Sequence, residues 1–174
     1  MMKKIVLIGP ESTGKTTLAK QLAKHYDTVW VEEYARTYID QLNRPYEQHD
    51  LLDIAQGQLL AEAKKEKVAN KILFCDTDLI VIEIWSNVKY GNCNQWILEQ
   101  IKSRKYDLYL LCGTDVPWEY DEQREHPNFR DELFQIYEST LIKYNKNYIK
   151  LIGNKIIRIE KAMKIIDKLL ASKE

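Results

Sequence analysis

The chain has 174 residues, and 26 Lys and Arg balance 26 Asp and Glu, so its formal net charge is zero. Apolar residues make up 45% and charged residues 30%, ordinary proportions for a single globular domain over 1–174 with a sizeable core. That balance argues against a general nucleic-acid partner, and no apolar run reaches the roughly 20 residues that span a bilayer. The N-terminal run lacks an adequate signal-peptide core and cleavage site, so a cytoplasmic location is the expectation.

In chain order, Lys3–Ile8 is a short apolar run that predicts a strand buried on both faces. It leads into Gly9-Pro10-Glu11-Ser12-Thr13-Gly14-Lys15-Thr16, a match to Gly-x-x-x-x-Gly-Lys-Ser/Thr, and Thr16–His25 then reads as a helix. A glycine loop between a strand and a helix is what triphosphate binding requires. Successive N–H groups curl around the β-phosphate, and the helix N-terminus adds partial positive charge. Lys15 would reach the β- and γ-phosphates, and the Thr16 hydroxyl would ligate Mg²⁺. The expected ATP contacts are Gly9, Glu11, Ser12, Thr13, Gly14, Lys15, Thr16 and Thr17.

Thr28–Val31 predicts a second strand, followed by Glu32-Glu33 at its carboxyl end, where open α/β sheets bind ligands. Either carboxylate could take the proton of an acceptor hydroxyl or hold its sugar. Tyr34 and Arg36 follow within reach of the same substrate. The apolar positions of Leu51–Val68 recur at helical spacing, with Pro45 near the start of that helix. Ile72–Cys75 predicts a third strand that ends in Asp76-Thr77-Asp78. Asp76 is the candidate to reach Mg²⁺ through water, and Asp78 the alternative carboxylate beside the acceptor. Trp85 lies close to the same cleft.

Leu108–Cys112 predicts a fourth strand, and the polar, proline-bearing stretch 113–130 after it reads as a lid. Arg124 and Arg130 in that lid could swing onto the transferred phosphoryl group. Asp131–Tyr144 and Ile156–Leu170 predict helices around a fifth strand, Tyr148–Ile152. Strands alternating with helices specify an α/β three-layer fold with a mostly parallel five-stranded sheet. Cys75 and Cys112 end apolar runs and read as buried small residues, and the three Cys and three His show no metal-ligand spacing.

A GTPase would need Asn-Lys-x-Asp, and the Asn-Lys pairs here lack that Asp. A remodelling ATPase usually ends this strand in Asp-Glu, whereas this chain has Asp76-Thr77. A small-molecule kinase fits better, because it needs a metal-site acid, a carboxylate near the acceptor and cations over the γ-phosphate.

Together Gly9–Thr17, Glu33-Tyr34-Ala35-Arg36, Asp76-Thr77-Asp78 and Pro117-Trp118…Asp121…Arg124 resemble the ribosylnicotinamide kinase domain of the bifunctional NadR-type proteins, over nearly the whole chain. The resemblance implies ATP-dependent phosphorylation of the 5′-hydroxyl of nicotinamide riboside to nicotinamide mononucleotide. The chain departs from it at several points. Glu32 stands where a Trp precedes the Glu-Tyr-Gly-Arg of relatives, and Ala61-Glu62-Ala63 offers no aromatic. Val81-Ile82 replaces a Thr pair, and Asp121-Glu122 replaces a lid Asp-Gly. No His-x-Gly-His motif is present, so adenylyl transfer is not expected. Three alternatives stay open: a kinase for another nucleoside or small metabolite, a nucleoside-monophosphate kinase, and a nucleotide-dependent regulatory module. The oligomeric state is not specified by the sequence.

Overall fold

A computed structural model describes residues 2–123 and 128–171. Its five strands are β1 (Lys3–Ile8), β2 (Trp30–Val31), β3 (Ile72–Asp76), β4 (Leu108–Cys112) and β5 (Tyr148–Leu151). The helices among the described residues are α1 (Lys15–His25), α2 (Tyr34–Gln41), α3 (Asp50–Glu66), α4 (Leu79–Tyr90), α5 (Gln95–Ser103), α6 (Arg130–Lys143) and α7 (Lys155–Ala171). The strands form one all-parallel sheet in the order β2-β3-β1-β4-β5.

Both faces of the sheet are covered, which is why its strands read as continuous apolar runs. Alternate side chains enter opposite cores. Ile5, Leu7, Phe74 and Leu110 pack with Leu18 and Leu22 of α1 and Ile166 of α7. Val6, Ile8, Leu73 and Leu111 pack against the other face, with Leu51 of α3, Ile80 of α4, Ile97 of α5 and Leu141 of α6. The three-layer α/β reading therefore holds, and Cys75 and Cys112 are buried as expected.

The elements differ from the sequence expectation where tertiary contacts intervene. Only Trp30–Val31 pair with Phe74–Cys75, because the Thr28 hydroxyl donates to Ile72 O (2.7 Å) and accepts from Asn70 N–H (2.9 Å) instead of entering a ladder. Pro45 does not open α3, which starts five residues later. The Asp50 side chain organises that start by accepting from Glu47 N–H (2.7 Å) and from Arg44. Three helices were not anticipated. In α4, Leu79, Ile80, Val81, Ile82 and Ile84 are all buried, so there is no polar stripe to mark its period. α5 is capped by Asn94, whose side chain accepts from Trp96 N–H (2.9 Å), and it buries only Ile97 and Ile101. α2 buries a single residue, Ala35.

Candidate active site

The loop between β1 and α1 has the backbone of an anion cradle. Gly9 and Gly14 have φ of 141° and 79°, and Ser12 is also left-handed at 54°. At Gly9 a Cβ would meet Cys112 O of the neighbouring strand at 2.6 Å, so no side chain fits there. Gly14 stands at the N-cap of α1, and no side chain caps the first turn. Its N–H groups and the helix dipole therefore face the cleft as a phosphate-sized positive site. Within the loop the Thr13 hydroxyl donates to Pro10 O (2.8 Å), and Lys15 Nζ folds back to donate to Gly9 O (2.9 Å) and Pro10 O (2.7 Å).

Asp76, the last residue of β3, accepts the Thr16 hydroxyl on Oδ2 at 2.5 Å. Its Oδ1 is buried without a hydrogen-bond partner. A hydroxyl on the cleft paired with a buried carboxylate that has one idle oxygen offers the hard-oxygen chemistry that suits Mg²⁺, which normally takes one or two protein ligands with phosphates and waters. The described residues hold no cluster of three or more His, Cys, Asp or Glu that could hold a metal ion.

Glu33 sits at the N-cap of α2 but does not cap it. Its carboxylate turns along the helix to pair with Arg36 Nε at 3.4 Å. Burial and the charge of Asp76 raise its pKa against the pull of Lys15 and Arg36. Burial also raises Asp76, opposed by Lys15 and the Thr16 hydroxyl. Two carboxylates in one desolvated site hold their protons above the ordinary range. The β2–α2 junction that presents Glu33 is clasped from α3. Gln58 accepts the Tyr34 N–H (2.8 Å) and donates to Glu32 O (3.4 Å), while the Tyr34 ring lies against Gly57.

The loop, Thr16, Glu33 and Arg36 line a cleft of about 550 Å³, within the usual size of small-molecule sites, with Asp76 held behind Thr16 and outside the lining itself. Gly9 and residues 11–17 form its floor, so the expected ATP contacts are brought together. One end is walled by Glu33, Arg36, Ile39, Val81, Trp85 and Tyr137; the other by Val116, Pro117 and residues 153–155. A second hollow of about 160 Å³ opens beside Trp85 and Ile39, next to Tyr46 and Lys89.

Residues 113–123 cross the cleft mouth. Glu119 N–H donates to Ser12 Oγ (2.8 Å), Asp121 pairs with Arg36 (2.9 Å), and Gln123 donates to Asp40 (2.5 Å). Arg124 lies outside the described residues.

Several expected site residues stand elsewhere. Arg130 does not line the cleft. It begins α6, is 8% exposed, and donates to Thr114 O (2.7 Å) and Val116 O (2.8 Å), with Trp118 beside its guanidinium. In this structure it braces the lid root through those two carbonyls. Asp78 is also outside the lining: its Oδ1 caps α4 at Ile80 N–H (3.1 Å), and its Oδ2 accepts the buried Tyr109 hydroxyl (2.8 Å). Burial pushes its pKa up to about 6. Glu32 is exposed and points to no cleft wall, and Tyr34 supports the junction without lining the cleft. Glu32 and Glu33 both follow β2 outside its ladder, and Glu33 stands at the N-cap position of α2 while Glu32 stays exposed.

Four residues went unrecognised in the sequence: Gln58, Tyr137, Asp115 and Arg158. Tyr137 recurs at helical spacing and reads as core, Gln58 lies mid-helix, and Arg158 is one of several cations in α7. Only Asp115, in the expected lid, carried a signal of position.

The family profile described as AAA domain matches residues 4–156. The trifunctional NAD biosynthesis/regulator protein NadR of Escherichia coli (strain K12) is 26% identical over 155 residues, covering 82% of this chain and 37% of its own length. NadR of Salmonella typhimurium is 28% identical over 129 residues, 71% of this chain and 31% of its own. The chain thus spans about a third of the curated relatives it matches, and it is homologous to that portion of them. A NadR protein in complex with NR superposes with a TM-score of 0.79 at 24% identity, over 99% of this chain and 52% of that one. A deoxyadenosine kinase from M. mycoides with bound dCTP superposes at 0.59 and 17% identity, over 95% and 99% of the two chains. At these identities the likeness is one of fold.

Proposed function

We propose that this chain, which belongs to the AAA-domain family of P-loop proteins, is an ATP-dependent kinase for a nucleoside hydroxyl, with nicotinamide riboside as the first candidate acceptor. One observation carries the reading: a largely buried carboxylate, Glu33, whose pKa is raised by burial and by Asp76, faces the phosphate floor from an end wall of apolar and aromatic side chains. A remodelling ATPase would usually place its water-orienting Glu directly after Asp76, where this chain has Thr77. A nucleoside-monophosphate kinase would want spare cations in the acceptor wall. Here the cation Arg36 is already matched by Glu33 and Asp121.

In this mechanism the triphosphate displaces the two loop carbonyls from Lys15, whose ammonium then holds the β- and γ-oxygens. The N–H groups of the loop and of the first turn of α1 take the remaining oxygens. Thr16 and Asp76 would hold Mg²⁺, which would supply positive charge to offset the negative charge on the phosphoryl group in the transition state. Glu33 accepts the proton of the acceptor hydroxyl as its oxygen bonds to the γ-phosphorus and the bond to the β,γ-bridging oxygen breaks, releasing ADP. Positioning and charge neutralisation lower most of the barrier, so the base need be only modestly strong. The lid contacts at Ser12, Arg36 and Asp40 limit water at the γ-phosphate.

Support for a nicotinamide riboside acceptor comes from the homology to NadR and from the resemblance of the Glu33–Arg36 and Asp76–Asp78 segments. The test is ATP consumption with product mass detection over nicotinamide riboside, the common nucleosides and their monophosphates. A phosphorylated nucleoside is the expected product. ATP hydrolysis with every acceptor left unmodified would overturn the kinase assignment, and turnover of a different nucleoside alone would overturn the choice of acceptor.

A further inference from the structure

Arg158 is a buried cation of the cleft that the mechanism above does not use. It belongs to the first turn of α7, is 4% exposed, and lines the end of the cleft opposite Glu33. Its guanidinium is spent on four segments. Nε donates to Gly153 O at 2.7 Å, Nη1 to Thr13 O at 2.8 Å, and Nη2 to Gly113 O at 3.0 Å and to the Asp115 carboxylate. Asp115 in turn accepts the Gly153 N–H at 2.5 Å. One side chain therefore joins the phosphate loop, the exit of β4, the root of the lid and the β5–α7 turn.

The direction of the reaction says what that junction is for. The acceptor must approach the γ-phosphorus in line with the leaving oxygen, from the Glu33 wall. The nucleoside part of ATP then extends the other way, towards residues 153–155. We infer that Arg158 is a positioning residue that locks the nucleoside end of the ATP cleft to its triphosphate end. The inference rests on the nucleotide-binding part of the reading above and is independent of which acceptor is used.

The phosphate loop has ties of its own, Thr13 to Pro10 and Thr16 to Asp76, which do not pass through Arg158. The β5–α7 turn has fewer: Gly153 is left-handed at φ 110°, and beyond Arg158 and Asp115 its order rests on Asn154 capping Ile156 and Ile157. Losing the guanidinium should therefore free the nucleoside end more than the phosphate end. Planarity matters, because a fork of five N–H donors can serve four acceptors and an ammonium on a flexible stem cannot.

The experiment is titration of the full chain with Mg·ATP and, separately, with inorganic tripolyphosphate, for the wild type, Arg158→Met, Arg158→Lys and Asp115→Asn, with thermal unfolding of each. Arg158→Met should lose at least tenfold in ATP affinity and less than threefold in tripolyphosphate affinity. Arg158→Lys should fall between it and the wild type, and Asp115→Asn should change the same ratio by a smaller factor. Equal losses for both ligands would overturn the inference, since Arg158 would then only shape the loop. A lowered melting temperature with both affinities intact would overturn it as well, as a purely structural role. If Arg158→Met does not fold, the lysine variant and Asp115→Asn carry the same ratio test. A wild type that binds neither ligand would sink the nucleotide reading itself, a result distinct from binding without a split.

Discussion

Gly57→Ala is a substitution outside the cleft lining, where α3 meets the Tyr34 ring of α2, and two effects of opposite sign meet there. Alanine in a helix interior normally gains about 1 kcal/mol over glycine, so a position judged by propensity alone would be stabilised. At Gly57 the new Cβ would lie 1.9 Å from Tyr34 Cε1 and 2.4 Å from Cδ1 and Cζ. The ring must leave its place or α2 must shift, and overpacking of that kind costs about 1–3 kcal/mol. The net expectation is a loss of about 0–2 kcal/mol, or a fall of up to about 8 °C in melting temperature for a chain of this size. The functional effect follows from the clasp at the next residue. Gln58 holds Tyr34 N–H and Glu32 O, so a displaced α2 start moves Glu33 and Arg36. The KM for the acceptor should rise while ATP affinity stays close to the wild-type value. Thermal and urea unfolding of Gly57→Ala, Tyr34→Ala and the double variant complete the cycle. With Tyr34 truncated, the same Gly57→Ala change should become stabilising, giving a coupling of about 1–3 kcal/mol. An identical stability change in both backgrounds would refute the steric reasoning.

Other substitutions separate roles that the residue types alone do not. Glu33 works as a carboxylate and its pKa is raised by burial and Asp76, so the acid limb of kcat/KM should lie above the usual 4.5. Glu33→Gln should lower kcat by about 10²–10⁴-fold and erase that limb; an unchanged limb in a pH–rate profile assigns it to another group. For Asp78, burial raises the carboxyl from 3.8 to about 6, so between those values the folded protein holds a proton that the unfolded chain has released. Stability should therefore fall as pH rises through that window, by on the order of 2–3 kcal/mol, and Asp78→Asn should flatten the dependence in pH-resolved unfolding. A wild-type stability curve that rises through the window would contradict the burial of Asp78. Arg130→Met should lower the melting temperature, because two lid-root carbonyls lose their donor, yet reduce kcat by less than tenfold. A loss of a thousandfold with unchanged stability would restore Arg130 to the phosphoryl group.

The contrast between Lys15 and Arg130 shows why some of the site was legible in sequence and some was not. Lys15 belongs to a motif whose geometry is local: eight consecutive residues between a strand and a helix make the cradle, and Gly9 and Gly14 adopt the backbone the pattern requires. Arg130 was placed by its position in a polar segment, and position along a loop does not determine where a long side chain ends. Once α6 began at Arg130, burial at the helix start turned the guanidinium to the Thr114 and Val116 carbonyls. Asp78 lies outside the cleft lining for a related reason. The turn after β3 puts Thr77 in the left-handed region and sends the next carboxylate down onto Tyr109, away from the cleft.

By itself the sequence determined the parallel α/β architecture, because strands buried on both faces must be apolar throughout and the helices between them must be amphipathic. It also determined the triphosphate loop and the Thr16–Asp76 pair, since each lies at a strand end or in an unbroken motif. Only the tertiary structure decided which of Glu32 and Glu33 enters the cleft, that Gln58 and Gly57 seat the segment presenting it, and that Arg158 joins four loops distant in the chain. Those decisions depend on contacts between residues far apart in sequence, where side-chain reach and desolvation act in three dimensions. The neutral total charge carries no trace of them: Lys15, Arg36 and Arg158 are each matched within the folded cleft by particular carbonyls and carboxylates.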